Sequence, residues 1–216
     1  MNNLNKKIYK IDELELIQSR NYLILSRSGS GKWVLIKNLM KCLLWKFKYN
    51  WIVLYSKTSK YDDEYNFIDD ENKFDGNLDV LINDILEYQK QNIGNKILFI
   101  LDDVEISKKN DWLWNLFACS RHFNITIILS SQYVKSLVSS AIRSNFHLLF
   151  FNQLNFNNLQ CVYEMVYINI DKKEFFKFIY SIKEKFTFIY YNNMGCPIEE
   201  AFKLCRWEIV NFKIKF

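Results

Sequence analysis

Ser26-Arg27-Ser28-Gly29-Ser30-Gly31-Lys32-Trp33 is the stretch on which the reading of this chain turns. Tyr22-Leu23-Ile24-Leu25 stands before it, an apolar run of the length and kind that makes a buried strand. After it, residues 34–44 carry apolar side chains at helical spacing. Strand, glycine-rich turn, lysine and helix, in that order, describe a phosphate-binding loop. Backbone N–H groups and the positive helix N-terminus surround a β-phosphate in such a loop, while the lysine reaches the β and γ oxygens. Gly29 and Gly31 permit the dihedrals and the close approach that a side chain would block. Ser28, Gly29, Ser30, Gly31, Lys32 and Trp33 are therefore the candidate nucleotide-binding residues.

The full pattern of such loops, G-x-x-x-x-G-K-[ST], has Gly where this chain has Ser26 and a hydroxyl residue where it has Trp33. Ser26 is a mild departure, because a small residue still makes the turn. Trp33 is the larger one: the hydroxyl normally ligates Mg²⁺, and indole offers only an N–H donor. The plain alternative for the stretch is a Gly/Ser turn with Ser30 capping an ordinary helix.

A chain of 216 residues suits one α/β domain, with 50% hydrophobic and 25% charged residues, enough for a sizeable core. The net charge of +5 is compatible with a nucleic-acid partner without requiring one. Five cysteines (Cys42, Cys119, Cys161, Cys196, Cys205) are scattered and form no Cys-x-x-Cys pair, so reduced thiols are favoured over a zinc site. No signal-peptide pattern opens the chain, which fits a reducing, intracellular compartment. No apolar run reaches the roughly 20 residues that a membrane span needs.

Further strands are expected at residues 51–55, 97–101, 125–129 and 146–151, with helices at 78–91 and 111–121 between them. Residues 56–77, rich in Asp and Glu, read as a solvated loop. Alternating strands and helices imply right-handed crossovers, a mainly parallel central sheet and helices on both of its faces. Residues 20–152 form the nucleotide-binding core of a single domain spanning 1–216. Residues 153–216 are an extension packed on it, with a helix near 175–185 and a strand through Phe186, Phe188 and Tyr190. Ligands of such sheets bind at the carboxyl ends of the strands.

Asp102 and Asp103 follow the uniformly apolar Ile97-Leu98-Phe99-Ile100-Leu101. A carboxylate pair there matches the strand-end motif in which the first residue holds Mg²⁺ and the second orients and deprotonates the attacking water. A helix-capping Asp pair is the alternative. Gln132 ends the next apolar strand and can sense a γ-phosphate or position water through its amide. A satisfied polar residue at a strand end is its alternative. The loop, the Asp pair and Gln132 all converge on one sheet edge.

These residues together resemble the FtsK–HerA superfamily of P-loop motors, and most of all the genome-packaging ATPases of poxviruses, other large DNA viruses and virophage or Polinton-type elements. The resemblance is carried by Ser28-Gly29-Ser30-Gly31-Lys32 and Leu98-Phe99-Ile100-Leu101-Asp102-Asp103. It extends through Arg121-His122-Phe123-Asn124, Ile127-Ile128-Leu129-Ser130-Ser131-Gln132 and Ile142-Arg143-Ser144-Asn145. It implies a RecA-like ATPase using ATP and Mg²⁺, assembled as a homo-oligomeric ring that drives double-stranded DNA into a capsid. Capsid or portal-type proteins are the implied partners, and the virion or its intracellular assembly site the implied location. Residue by residue, it implies that Lys32 binds phosphate, Asp102 holds the metal, Asp103 is the base and Gln132 the sensor. Arg121 and Arg143 become candidates for charge stabilisation at a subunit boundary. Trp33 supports a second reading, a nucleotide-binding but hydrolysis-poor structural subunit of a packaging assembly. A P-loop nucleotide kinase is a third, lacking the Arg-rich lid that it needs.

Overall fold

The computed structural model describes residues 7–58, 63–104, 111–132, 144–166, 170–182, 184 and 186–207. Its centre is a nine-stranded sheet in the order β1-β9-β8-β7-β2-β6-β5-β3-β4. The strands are β1 (Ile8–Lys10), β2 (Asn21–Ser26), β3 (Trp51–Tyr55), β4 (Lys73–Phe74), β5 (Ile97–Leu101), β6 (Ile125–Ser131), β7 (Leu148–Asn152), β8 (Thr187–Asn192) and β9 (Phe202–Arg206). Only β8 opposes the rest among the described residues; it pairs antiparallel with both β7 and β9, and every other pairing is parallel. The carboxyl ends of the remaining strands therefore share one edge, which the amino end of β8 joins.

Alternation along each strand divides the core in two. Tyr22, Ile24, Ile52, Leu54, Leu98, Ile100, Ile128, Leu148 and Phe150 face one side, covered by α1 (Lys32–Lys46) through Val34, Leu35, Leu39, Met40 and Leu43. Leu23, Leu25, Val53, Phe99, Leu101, Ile127 and Leu129 face the other. There they meet α2 (Leu78–Gln91), α3 (Asp111–Cys119), α4 (Phe156–Met165) and α5 (Lys172–Ser181). Strands buried on both faces must be apolar throughout, which is why residues 97–101 carry no polar side chain. The α/β class with a mainly parallel sheet and helices on both faces is what the sequence predicts.

Several details depart from the sequence reading. The predicted strand at 146–151 is displaced to Leu148–Asn152, and the C-terminal helix starts and ends earlier, at Lys172–Ser181. α3 ends at Cys119 rather than 121, and buries Leu113, Leu116 and Phe117. The acidic segment is not simply a solvated loop. It contains β4, and it sends Tyr65, Phe67 and Ile68 into the core on the α1 face. Strands β8 and β9 continue the sheet next to β7, with α6 (Ile198–Ala201) between them in the chain.

The amino edge of the sheet is tied together by Asn21, which has no solvent exposure. Its amide donates to the carbonyls of Phe117 (2.9 Å) and Asn145 (2.7 Å), and its oxygen accepts from the Ser120 hydroxyl (2.8 Å). Its own N–H donates to His147 Nδ1 at 3.2 Å. Burial, reinforced by the charges of Arg20 and Arg121, pushes His147 down to about 4, so the ring is neutral and can accept. Asn21→Ala removes the donor to the Asn145 carbonyl and leaves the Ser120 hydroxyl and the Phe117 carbonyl with only each other at 3.2 Å, and should cost about 1–3 kcal/mol. The expected readout is a lower urea midpoint at unchanged slope; an unshifted midpoint would show that the network is dispensable.

Candidate active site

The order of strands at the carboxyl edge sets the site. β6 lies between β2, which feeds the glycine loop, and β5, which feeds the Asp pair. Gln132, just after β6, therefore stands between Lys32 and the carboxylates. Three predicted residues meet there. Lys32 Nζ lies 3.2 Å from Asp103 Oδ1, and Gln132 Nε2 donates to Asp103 Oδ2 at 3.0 Å. Lys32 is buried, whereas the Asp103 side chain keeps 43% exposure, so this carboxylate faces the space above the loop.

The loop is arranged to accept an anion. Gly29 and Gly31 have φ of +69° and +87°, the left-handed region that side chains rarely adopt. Gly31 is the N-cap of α1, and no side chain caps this end of the helix. Ser30 therefore does not play the capping role that the plain alternative gives it. Its hydroxyl bonds instead to the Ser26 hydroxyl and donates to the carbonyl of Arg27 at 2.6 Å. The leading N–H groups of a fifteen-residue helix are thus left to the ligand, together with the positive end of its dipole. Ser26, in place of the usual glycine, helps to brace the loop from below. Trp33 is half-buried and packs on the α1-side core, so the indole is accommodated at the first turn of the helix.

Asp102 is nearly buried at the end of β5. Its backbone N–H donates to the Tyr55 carbonyl at 2.9 Å, and one carboxylate oxygen accepts from the Ser130 hydroxyl. The same Ser130 oxygen accepts the Asp103 N–H at 3.2 Å. Asp103 has φ of +47°, an uncommon conformation for a residue with a side chain, and one that turns its carboxylate away from Asp102. Desolvation raises the Asp102 carboxyl above its ordinary 3.8, opposed by Ser130, by nearby Tyr65 and by Lys32, with Asp103 adding to the rise. Tyr65 is wholly buried and close enough to Asp102 to act on its charge, yet its hydroxyl lies outside hydrogen-bond geometry. Ser130 lies in the Ile127–Gln132 segment that carries the resemblance, but neither it nor Tyr65 is given a role by the sequence. The Ser130-Ser131 pair at a strand end was the only sequence signal of a role for the first, and an aromatic among acidic residues the only one for the second.

Arg121 does not join this cluster. Arg121 is exposed in the turn between α3 and β6, at the amino edge of the sheet, and its charge is felt at His147 there. The full length of β6 separates it from Gln132. Arg143 lies outside the described residues, as do Lys183 and Lys185. In the Lys-rich segment of the C-terminal part, Lys173 and Lys177 are exposed on α5, and Lys172 lies 5.9 Å from the Phe176 ring centre. Among the described residues no group of three or more His, Cys, Asp or Glu side chains could hold a metal, and no helix is long and apolar enough to cross a membrane.

A carboxyl whose folded value is raised favours the fold when protonated. That contribution is complete below 3.8 and is lost as pH rises through the elevated folded value. At neutral pH the ionised Asp102 is therefore a buried charge held at a cost to stability. Asp102→Asn keeps an oxygen for Ser130 and removes the charge, and should raise Tm at pH 7 by a few degrees. The gain should shrink as the pH approaches 4. A lower Tm at pH 7 would show that ionised Asp102 stabilises the fold.

No curated protein matches the chain. Solved structures do. The DNA-packaging ATPase B204 of Sulfolobus turreted icosahedral virus superposes with a TM-score of 0.63 at 17% identity, over 91% of this chain and 100% of that one. The genome packaging NTPase B204 of Sulfolobus turreted icosahedral virus 2, in complex with ATP-gammaS, gives 0.65 at 16%, over 90% and 100%. The cytoplasmic domain of the Type VII secretion ATPase EccC from Thermomonospora curvata gives 0.61 at 12%, over 92% and 26%. At such identities these likenesses establish the fold, that of P-loop ATPases. The family model described as Poxvirus A32 protein matches residues 8–197, nearly the whole chain. The resemblance carried by the glycine loop, the Asp pair and the Gln132 segment is thereby borne out: this chain belongs to the poxvirus A32 protein family.

Proposed function

We propose that this protein is an ATPase that drives double-stranded DNA into a viral capsid. The observation that carries it is the joining of Lys32, Asp103 and Gln132 beside an uncapped, glycine-built helix N-terminus, in a chain of the poxvirus A32 protein family. The name of the similar B204 proteins supports the same reading: that protein is a DNA-packaging ATPase. Nothing at the site favours a nucleotide kinase. We take residues 1–216 as one ATPase domain, with 153–216 packed against the 20–152 core.

ATP would lie with its phosphates over the backbone N–H groups at Gly29–Lys32. The donor set at the β5 end fits Mg²⁺, which needs only one or two carboxylates beside phosphate oxygens and water. Asp102 would hold it, and when bound it neutralises charge on the β- and γ-phosphates. Lys32 is paired with Asp103. An arriving γ-phosphate competes for Lys32 and releases Asp103, which still accepts from Gln132, to orient water and take its proton. Arg121, at the opposite edge of its own sheet, would act only across a subunit boundary. A ring of subunits around the duplex is what processive pumping by so small a domain requires. DNA contact would be made mainly to phosphates by Lys and Arg, and so be salt-sensitive and indifferent to sequence. Capsid or portal-type proteins would receive the DNA, at the site of virion assembly in the host cell or in the virion.

ATP hydrolysis should rise on adding double-stranded DNA and vanish in Lys32→Ala. In the same assay, Asp103→Asn should bind ATP at least as tightly as the wild type, since Lys32 is no longer engaged, yet turn over about a hundredfold more slowly or worse. A protein that stays monomeric with ATP and DNA and shows no DNA stimulation would remove the motor from this reading. Unchanged turnover in Asp103→Asn would remove Asp103 from the chemistry.

With Trp33 where a hydroxyl residue is usual, the chain would offer Mg²⁺ one protein ligand fewer, and water would have to serve in its place. The expected result is slow hydrolysis with a weak Mg²⁺ dependence, and Trp33→Ser should raise the rate and tighten apparent Mg²⁺ binding across a titration. If the serine variant gains nothing over a brisk wild type, the missing hydroxyl does not limit this enzyme.

A further inference from the structure

The chemistry at the carboxyl edge lies on one side of the glycine loop, on β6 and β5. The other side carries two aromatic residues that neither the motifs nor the proposed mechanism uses. Phe186 stands just before β8, and Trp207 just after β9. Because β8 runs opposite to β9, the two positions meet at the edge that bears the loop. Their rings pack with centres 4.7 Å apart.

Trp207 reaches back to the loop itself. A Cβ built on Gly31 would stand 2.7 Å from Trp207 Cζ2 and 3.4 Å from its Nε1, so the indole lies against the bare backbone of Gly31. The indole is nine-tenths buried, and its N–H has no acceptor among the described residues. Phe186 lies one ring farther from the loop and keeps 55% of its surface exposed. Its φ is +60°, a genuine outlier for a bulky residue. An outlier of this kind, fixed by a packed neighbour and presenting an aromatic face to solvent, is a common mark of a ligand-contacting position.

We propose that the exposed face of Phe186 stacks the base of the nucleotide whose phosphates occupy the loop, with Trp207 as the positioning residue that sets Phe186 relative to Gly31. This rests on the reading of the loop as a nucleotide site. A phosphate chain anchored at Gly31–Lys32 can extend its nucleoside toward β6 and β5 or toward β8 and β9. The first direction is filled by Asp102, Asp103, Ser130 and Gln132. The second offers an aromatic face, and stacking on an aromatic ring is favourable for any base.

The test separates base from phosphate. Affinities of the full chain for Mg-ATP and for inorganic tripolyphosphate are measured for the wild type, Phe186→Leu and Phe186→Tyr, each checked by thermal melting. Phe186→Leu keeps apolar bulk and removes the ring; it should weaken ATP by about tenfold while leaving tripolyphosphate within about twofold. Phe186→Tyr should restore ATP binding. In Phe186→Trp, the new indole should be quenched by ATP and not by tripolyphosphate, beyond the change seen in the wild type. Equal loss of both ligands in Phe186→Leu, or no loss of either, overturns the stacking role while the phosphate site stands. A wild type that binds neither ligand overturns the nucleotide reading of the loop, and this proposal with it.

Discussion

The hydroxyl of Ser130 holds the site in register. It donates to the Asp102 carboxylate and accepts the N–H of Asp103, so one oxygen clamps the end of β6 to the end of β5. The two adjacent carboxylates are thereby forced into different surroundings. Asp102 is drawn inward beside Tyr65, and Asp103, turned by its positive φ, projects toward Lys32. Without that clamp, two neighbouring Asp residues at a strand end would repel each other and splay into solvent. With it, one is buried and raised in proton affinity, and the other is half exposed and paired with a cation. Two identical side chains acquire separate roles through environment alone.

The two edges of the sheet carry different polar groups. At the amino edge, Asn21 satisfies Phe117, Asn145 and Ser120, and His147 is kept neutral so that it can accept. Every polar group named there has a partner, and the edge serves stability. The carboxyl edge carries a buried carboxylate, a left-handed Asp, an uncapped helix and two buried polar atoms, Tyr65 Oη and Trp207 Nε1, that have no hydrogen-bond partner among the described residues. A buried carboxylate, a half-exposed carboxylate paired with Lys32 and an uncapped helix on one edge are what a site prepared for a charged, hydrogen-bonding ligand looks like.

Much of this was legible from residue order. The helix at residues 78–91 appears with the predicted bounds, and the strands through 22–25, 51–55, 97–101 and 125–129 stand where the apolar runs put them. Lys32, Asp103 and Gln132 could be brought together because parallel topology sends strand ends to one edge. Less legible were β1, β4 and β9. They are two to five residues long, too short for a period to show, and β1 pairs with β9 across almost the entire chain. Tyr65 was hidden for a related reason, since the charges around it read as solvent while its ring is buried by tertiary packing. The Arg121–Asn124 segment shows how a family signature can be partly structural. Asn124 takes φ of +53°, a conformation that asparagine tolerates, and its carbonyl accepts from Ile97 N at 3.2 Å to start β5 beside β6.

Gly31 is constrained twice, and the second constraint was invisible in the motif. Its φ of +87° alone would favour glycine, but the Trp207 ring also occupies the space that a side chain would take. The C-terminal strand pair is consequently not an appendage of the nucleotide core. β8 and β9 extend its sheet, and the residue after β9 touches the loop on which phosphate is to sit. A shift of β9 along the sheet would move Trp207 against Gly31, and the start of α1 would have to follow. Since Lys32 is the next residue, that displacement would bear directly on the ion pair with Asp103. Mechanical coupling in either direction, from nucleotide to the outer strands or from those strands to the loop, therefore needs no long chain of contacts. It needs only the one place where an indole rests on a glycine.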